Sequence, residues 1–269
     1  VAEANFARSR PDPALADGVD AAHALDHIVA AVERAQLVEK PFPRLELTDV
    51  FPDDVYAAML DAMPELRDYR PMHGRSSTDG QTRVKLDLLP EYIRRLPAGK
   101  RAIWEAIGTA LCSKRLQQTF IQRLEAGLSQ RFGQGWQSVP MYPIPILTRD
   151  TPGYFIPPHT DTHWKGITVQ LYLPRDAAAS HIGTIFNDRC PDGSMTRAAM
   201  RPFVPNTGYA FAVGDQTWHS AGTVGSEVVS RDSILLTYFV EQGPLRWLRN
   251  RGKRAGNLLL NEVKQLRRV

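Results

Sequence analysis

The spacing of hydrophobic positions changes character near the middle of the chain. Before it, apolar residues recur at helical intervals: Ala24, Ile28, Ala31, Val32 and Ala35 predict a helix over Ala21 to Glu39. Lys40-Pro41-Phe42-Pro43 ends that helix, because proline cannot continue one. Leu45 to Val50 alternates like a short strand, and Pro52-Asp53-Asp54 then opens a helix over Val55 to Met63 with its acids at the favourable end. Ile93 to Cys112 and Lys114 to Phe132 are two more helical stretches, the first interrupted by Pro97-Ala98-Gly99. The later half reads as strand: Gly153 to Ile156, Ile167 to Leu173 and the apolar run Ile234 to Val240. The expected organisation is a polar, poorly ordered segment over 1–20, a helical support region over 21–136, a β core over 137–243 and a C-terminal helical extension over 244–269. The helices are expected to cover one outer face of the β core, which would otherwise expose apolar surface.

The β half carries the chemistry. Pro158-His159-Thr160-Asp161 is followed by Trp218-His219 and then by Arg231-Asp232-Ser233. Along a strand, residues i and i+2 share a face, so His159 and Asp161 would point the same way and could grip one cation. His219, from a strand distant in sequence, would complete two imidazoles and one carboxylate, the set that leaves positions open on non-haem Fe(II). A zinc hydrolase could use the same donors. Against it, the chain has no His-Glu-x-x-His helix, and no Glu is obviously placed as a general base. Arg231 opens an otherwise apolar run, where a lone buried cation would be costly. An anionic ligand would offset that cost, since a planar guanidinium holds a carboxylate through two parallel hydrogen bonds. Pairing with a structural Asp is the alternative. Ser233 would share the face of Arg231 and could donate one more hydrogen bond.

These blocks resemble the 2-oxoglutarate and Fe(II)-dependent dioxygenases, in particular the prolyl-hydroxylase-like branch. The resemblance runs from about Tyr142 to Val240 and rests on Gly153 to Asp161, on Ile167 to Leu173 with Gly183 to Phe186, and on Phe211 to His219 with Ser230 to Phe239. It implies a mainly β fold with helical support, a double-stranded β-helix (jelly-roll, cupin-like) barrel packed against the N-terminal helices. It also implies that His159, Asp161 and His219 hold Fe(II), and that Arg231 pairs with the distal carboxylate of 2-oxoglutarate. Tyr172 and Thr168 fall where that branch has hydrogen-bonding partners for the cosubstrate. The implied activity consumes 2-oxoglutarate and molecular oxygen, releases succinate and carbon dioxide, and hydroxylates a substrate carbon. Halogenating relatives have Gly or Ala at the carboxylate position, so with Asp161 present the resemblance implies hydroxylation, desaturation or a related oxidation and not halogenation. A non-catalytic cupin-like binding protein is the rival from another class, and the intact ligand set argues against it.

Composition narrows the partners. The chain has 269 residues, 43% of them hydrophobic, enough for one sizeable core. It shows no run of membrane-span length and no basic-then-apolar leader, so a cytoplasmic protein without a membrane span is expected. Cys112 and Cys190 are too few for a disulfide framework and are expected to be reduced. The net charge of +4 could suggest nucleic acid, but Pro244 to Val269 holds eight Lys or Arg against the single acid Glu262. That takes this segment to +7 and leaves the rest at −3, so no nucleic-acid partner is expected and the arginines read as a solvated helix face. Met72 to Leu86 lacks periodicity and is rich in hydrogen-bonding groups, as lids and binding loops are. Arg75 and Arg83 within it, together with Arg149, are candidate contacts to a small-molecule substrate, one with an anionic group. An exposed loop and a surface strand residue are the plainer readings of the same positions.

Overall fold

The computed structural model describes residues 20–72 and 82–241. The expected disordered start, the basic extension over 244–269 and Arg75 therefore lie outside the described residues.

Helix α1 (Ala21–Arg34) begins at Asp20, whose carboxylate accepts a hydrogen bond from the Ala22 amide at 2.8 Å. It buries Ala24, Ile28, Val29, Ala31 and Val32. The helix stops short of the expected Glu39, because Gln36–Val38 leaves it to form strand β1. Three polar-to-apolar residues at a helix end are equally good strand, and here pairing decides. β1 lies antiparallel to β2 (Arg44–Thr48), with Gln36 opposite Glu46. Next come α2 (Asp53–Asp61), β3 (Arg70–Pro71), β4 (Arg83–Asp87) and α3 (Pro90–Ile93). α4 (Ala98–Leu111), α5 (Lys114–Arg123) and α6 (Glu125–Phe132) follow, so the two long helical stretches are each divided, at Arg94–Pro97 and at Leu124.

The later half is β: β5 (Met141–Asp150), β6 (Ile156–His159), β7 (Lys165–Tyr172), β8 (Thr184–Arg189), β9 (Met195–Arg201), β10 (Thr207–Ala212), β11 (His219–Ala221) and β12 (Arg231–Val240). They make two antiparallel sheets. One has eight strands in the order β1-β2-β10-β7-β12-β5-β4-β3, the other four in the order β6-β11-β8-β9. β4 takes up the end of the stretch expected as a loop, Arg83 to Leu86, and is held there by pairing with β5, Arg83 opposite Asp150 through Asp87 opposite Ile146.

All eight residues of β7 are buried, because its two faces meet different layers. Ile167, Val169 and Leu171 join Ile234, Leu236 and Tyr238 of β12 in a core shared with the helices. Trp104 of α4 is fully buried in that core, and its indole N–H donates to the Ala62 carbonyl at 2.9 Å. The opposite face contributes Tyr172, Tyr209 and Phe211 to a second core with Phe186 and Ile156 of the small sheet. Gly208 lets β10 lie close to β7: a Cβ there would sit 2.3 Å from the Gln170 carbonyl oxygen. The helices thus cover one face of the large sheet and the small sheet covers part of the other. No helix among the described residues is long and apolar enough to cross a membrane.

Candidate metal and anion site

Between the two sheets the side chains turn polar around a small, partly open cavity of about 40 Å³. One end is a cluster of three donors. His159 closes β6, and His219 opens β11 directly opposite it in the antiparallel register, so the two rings lie 4.3 Å apart between centroids. Asp161 comes from the turn into β7, closed by the Lys165 amide on the Thr162 carbonyl, and not from a continuous strand. One ligand atom from each of His159, Asp161 and His219 lies within 4.8 Å of the others.

The surroundings suit a metal. His159 Nδ1 lies 3.0 Å from the Pro157 carbonyl oxygen, and His219 Nδ1 lies 3.0 Å from that of Thr217. A carbonyl can only accept, so each Nδ1 carries a proton, which leaves Nε2 as the ring atom able to hold a metal. Such contacts fix tautomer and orientation in metal-binding histidines. The Asp161 carboxylate accepts from Lys165 Nζ at 2.5 Å on Oδ1 and from the Thr168 hydroxyl at 2.6 Å on Oδ2. Burial alone would push this carboxyl up. Lys165, then His219, together with the two hydrogen bonds, outweighs burial and holds it well below the usual carboxylate range. An ionised carboxylate and two oriented imidazoles form a donor set fitted to Fe(II), and equally to zinc.

The other end is cationic. Arg83, Asp150 and Arg231 form one cross-strand row on β4, β5 and β12, Asp150 opposite both arginines. Arg83 Nε and Nη2 donate to the two oxygens of Asp150 at 2.5 and 2.7 Å, and Arg231 Nη1 donates to Oδ2 at 2.9 Å. Arg231 also donates from Nε to the Ile182 carbonyl at 2.9 Å and from Nη2 to the Thr184 hydroxyl at 3.2 Å. All three side chains are buried, Asp150 completely. For Arg83 burial disfavours the charge, but Asp150 and neighbouring Tyr154 outweigh it and the pKa rises; Arg231 is raised as well. Both guanidiniums stay charged, and the row carries one positive charge in excess.

Of the residues singled out in the sequence, His159, Asp161, His219, Thr168, Arg83 and Arg231 border this one cavity. Thr168 does so with its hydroxyl committed to Asp161. Tyr172 stands one layer back, its hydroxyl donating to the Thr184 hydroxyl at 2.8 Å. Ser233 stands back too, its Oγ accepting from Gln170 Nε2 at 3.0 Å. Arg149 is on the other face of β5, where Nε and Nη2 donate to Asp232 at 2.7 and 3.2 Å. Sequence reasoning passed over Tyr154, Lys165, Gln170 and Tyr209, which border the cavity, and Asp150, which stands behind it and binds both arginines. A signal existed for Gln170: with Thr168 it alternates against Ile167, Val169 and Leu171.

No family model matches the chain, and no curated protein matches it. The chain is similar to several proteins of known structure. A prolyl-4-hydroxylase from Pseudomonas putida is 18% identical with a TM-score of 0.49, over 81% of this chain and 100% of that one. An oxidoreductase of the 2OG-Fe(II) oxygenase family from Burkholderia pseudomallei is 16% identical with a TM-score of 0.45, over 81% of this chain and 91% of that one. The non-heme alpha-ketoglutarate-dependent epimerase SnoN, from nogalamycin biosynthesis, is 15% identical with a TM-score of 0.44, over 81% of this chain and 83% of that one. At these identities and TM-scores, the side chains of this chain have to carry the functional reading themselves.

Proposed function

We propose that the protein is an Fe(II)- and 2-oxoglutarate-dependent oxygenase that hydroxylates an unactivated carbon of a small, anionic molecule. One oxygen atom of O2 enters succinate, formed from 2-oxoglutarate with loss of carbon dioxide, and the other becomes the substrate hydroxyl. The observation that carries this reading is one cavity with a His159, Asp161 and His219 cluster at one end and a buried, net-cationic row at the other. A zinc hydrolase needs only the first of these, whereas a keto-diacid cosubstrate needs both. In this reading the two sheets are the walls of a double-stranded β-helix over 137–243, with 21–136 as its helical support.

Bound at the three ligands, Fe(II) would supply the oxygen-activating redox chemistry. The chain's own part is binding and orientation. The Pro157 and Thr217 carbonyls aim the two imidazoles, and Lys165 and Thr168 keep Asp161 ionised and fixed in place. Arg231 binds the distal carboxylate of 2-oxoglutarate. Tyr172 steadies Arg231 indirectly by holding the Thr184 hydroxyl, and Ser233 does the same for Gln170, which also accepts from Tyr209 at 2.7 Å. The chain thereby sets a keto-diacid at a defined distance from the metal ligands before substrate arrives. Asp161 also borders a neighbouring hollow lined by Phe42, Gln130, Arg131, His163 and Asp215, which offers substrate a route to the ligands.

The test is metal analysis of anaerobically purified protein, followed by a succinate assay with Fe(II), O2 and 2-oxoglutarate. Stoichiometric Fe(II) binding and slow succinate release without added substrate are expected, and a metabolite screen scored by faster release would then find the substrate. Tight zinc with no consumption of 2-oxoglutarate would overturn the reading.

A further inference from the structure

Arg231 cannot by itself make the cavity attractive to an anion, because Asp150 already neutralises it. A buried guanidinium and a buried carboxylate in contact form a neutral pair with little net pull on a further carboxylate. The excess positive charge exists because a second guanidinium, Arg83, shares the same Asp150. We infer that Arg83 is the second guanidinium of the carboxylate site, and that Asp150 is the internal counter-ion that holds the two cations side by side. The inference rests on the oxygenase reading and deepens it: the site takes the distal carboxylate of a keto-diacid between two guanidiniums.

Three observations support it besides the charge count. The row lies in register on three adjacent strands, so Arg83 and Arg231 present their side chains on the same face, toward the cavity that both border. Their hydrogen bonds to Asp150 and to backbone leave capacity. Of the five N–H groups of each guanidinium, bonds within the described residues take two from Arg83 and three from Arg231. Arg83 is also held in place, since its guanidinium lies 4.1 Å from the centre of the Tyr154 ring. Three side chains this deeply buried with an uncompensated charge would be a poor structural arrangement without an anion to complete it.

The experiment measures binding of 2-oxoglutarate to the full chain loaded with Mn(II), by anaerobic calorimetry, with 2-oxobutyrate as the ligand lacking the distal carboxylate. Arg83→Met is expected to weaken 2-oxoglutarate by roughly 10- to 100-fold, the effect of losing a charged hydrogen bond, with Mn(II) and 2-oxobutyrate binding unchanged. Folding should survive, because Asp150 keeps Arg231. Arg83→Lys, which keeps the charge but loses the fork that spans both oxygens of Asp150, should fall between wild type and R83M. The decisive arm is the double variant R83M/D150N, which removes the counter-ion and restores one net positive charge. It should recover most of the lost affinity, an outcome that a merely structural Arg83 does not predict. If R83M binds like wild type while Arg231→Met does not, or if R83M/D150N binds no better than R83M, the inference is overturned and the oxygenase reading stands. If R83M and R231M both bind 2-oxoglutarate as wild type does, the cosubstrate reading itself falls.

Discussion

The two faces of the eight-stranded sheet divide the work between them. Toward the helices, Ile167, Val169 and Leu171 of β7 and Ile234, Leu236 and Tyr238 of β12 are all but inaccessible and belong to one hydrophobic core. Toward the small sheet, the intervening positions are Thr168 and Gln170, then Arg231 and Ser233, all hydrogen-bonded. Alternation along a single strand therefore carries fold stability on one side and polar chemistry on the other. If the division is real, substitutions on the helix face should cost stability and spare the reaction, and substitutions on the cavity face should do the reverse.

The largest effect should come from the cavity face. His219→Ala removes one of three donors, and succinate formation should fall by well over the ~10- to 100-fold that loss of an outer partner costs, with the folded state retained. Full turnover in that variant would end the metal assignment. Asp150→Asn is the sharpest exception to the division. It strands two buried guanidiniums without their shared carboxylate, and a loss of about 3–5 kcal/mol in denaturant unfolding is expected. On the helix face, Leu236→Ala should cost about 2–5 kcal/mol through the cavity it leaves, while the metal affinity of the folded fraction stays at the wild-type value. Smaller again is Thr168→Val. It deletes the hydroxyl that fixes Asp161 Oδ2, and metal affinity measured by titration should drop about tenfold with little change in stability. An unchanged affinity would mean that Lys165 alone positions the carboxylate.

What the sequence disclosed follows from the same division. His159, Asp161, His219 and Arg231 stand out because charged and imidazole groups interrupt apolar strands, where they need a partner. The helical shell was legible from its period, but its boundaries were not. Gln36–Val38 becomes strand through pairing with β2, a tertiary contact that no local pattern encodes. Arg83 was legible as a functional candidate and illegible as to place. It lies beside an aperiodic stretch, yet it meets Asp150 across 67 positions of sequence, because β4 adds to the edge of β5. Asp150 itself reads as an ordinary strand-end acid, since nothing local announces that two distant arginines converge on it.

Arg149 is the finest probe of the division, because it is the immediate neighbour of Asp150 in sequence and the strand turns it the other way. Its guanidinium meets both oxygens of Asp232, the Pro64 carbonyl at 3.3 Å and the ring of Tyr69 on the helix side. Those contacts hold it in an ion pair that keeps only slight access to water, so losing the charge should cost more than the ~1 kcal/mol of exposed pairs and less than the ~3–5 kcal/mol of a fully buried one. Arg149→Gln keeps hydrogen-bonding capacity and removes the charge. The expected outcome is a drop of about 1–3 kcal/mol in unfolding free energy with 2-oxoglutarate affinity and succinate formation unaltered. A substrate-dependent fall in turnover at constant stability would instead put Arg149 in contact with the substrate, and the large sheet would then carry chemistry on both of its faces.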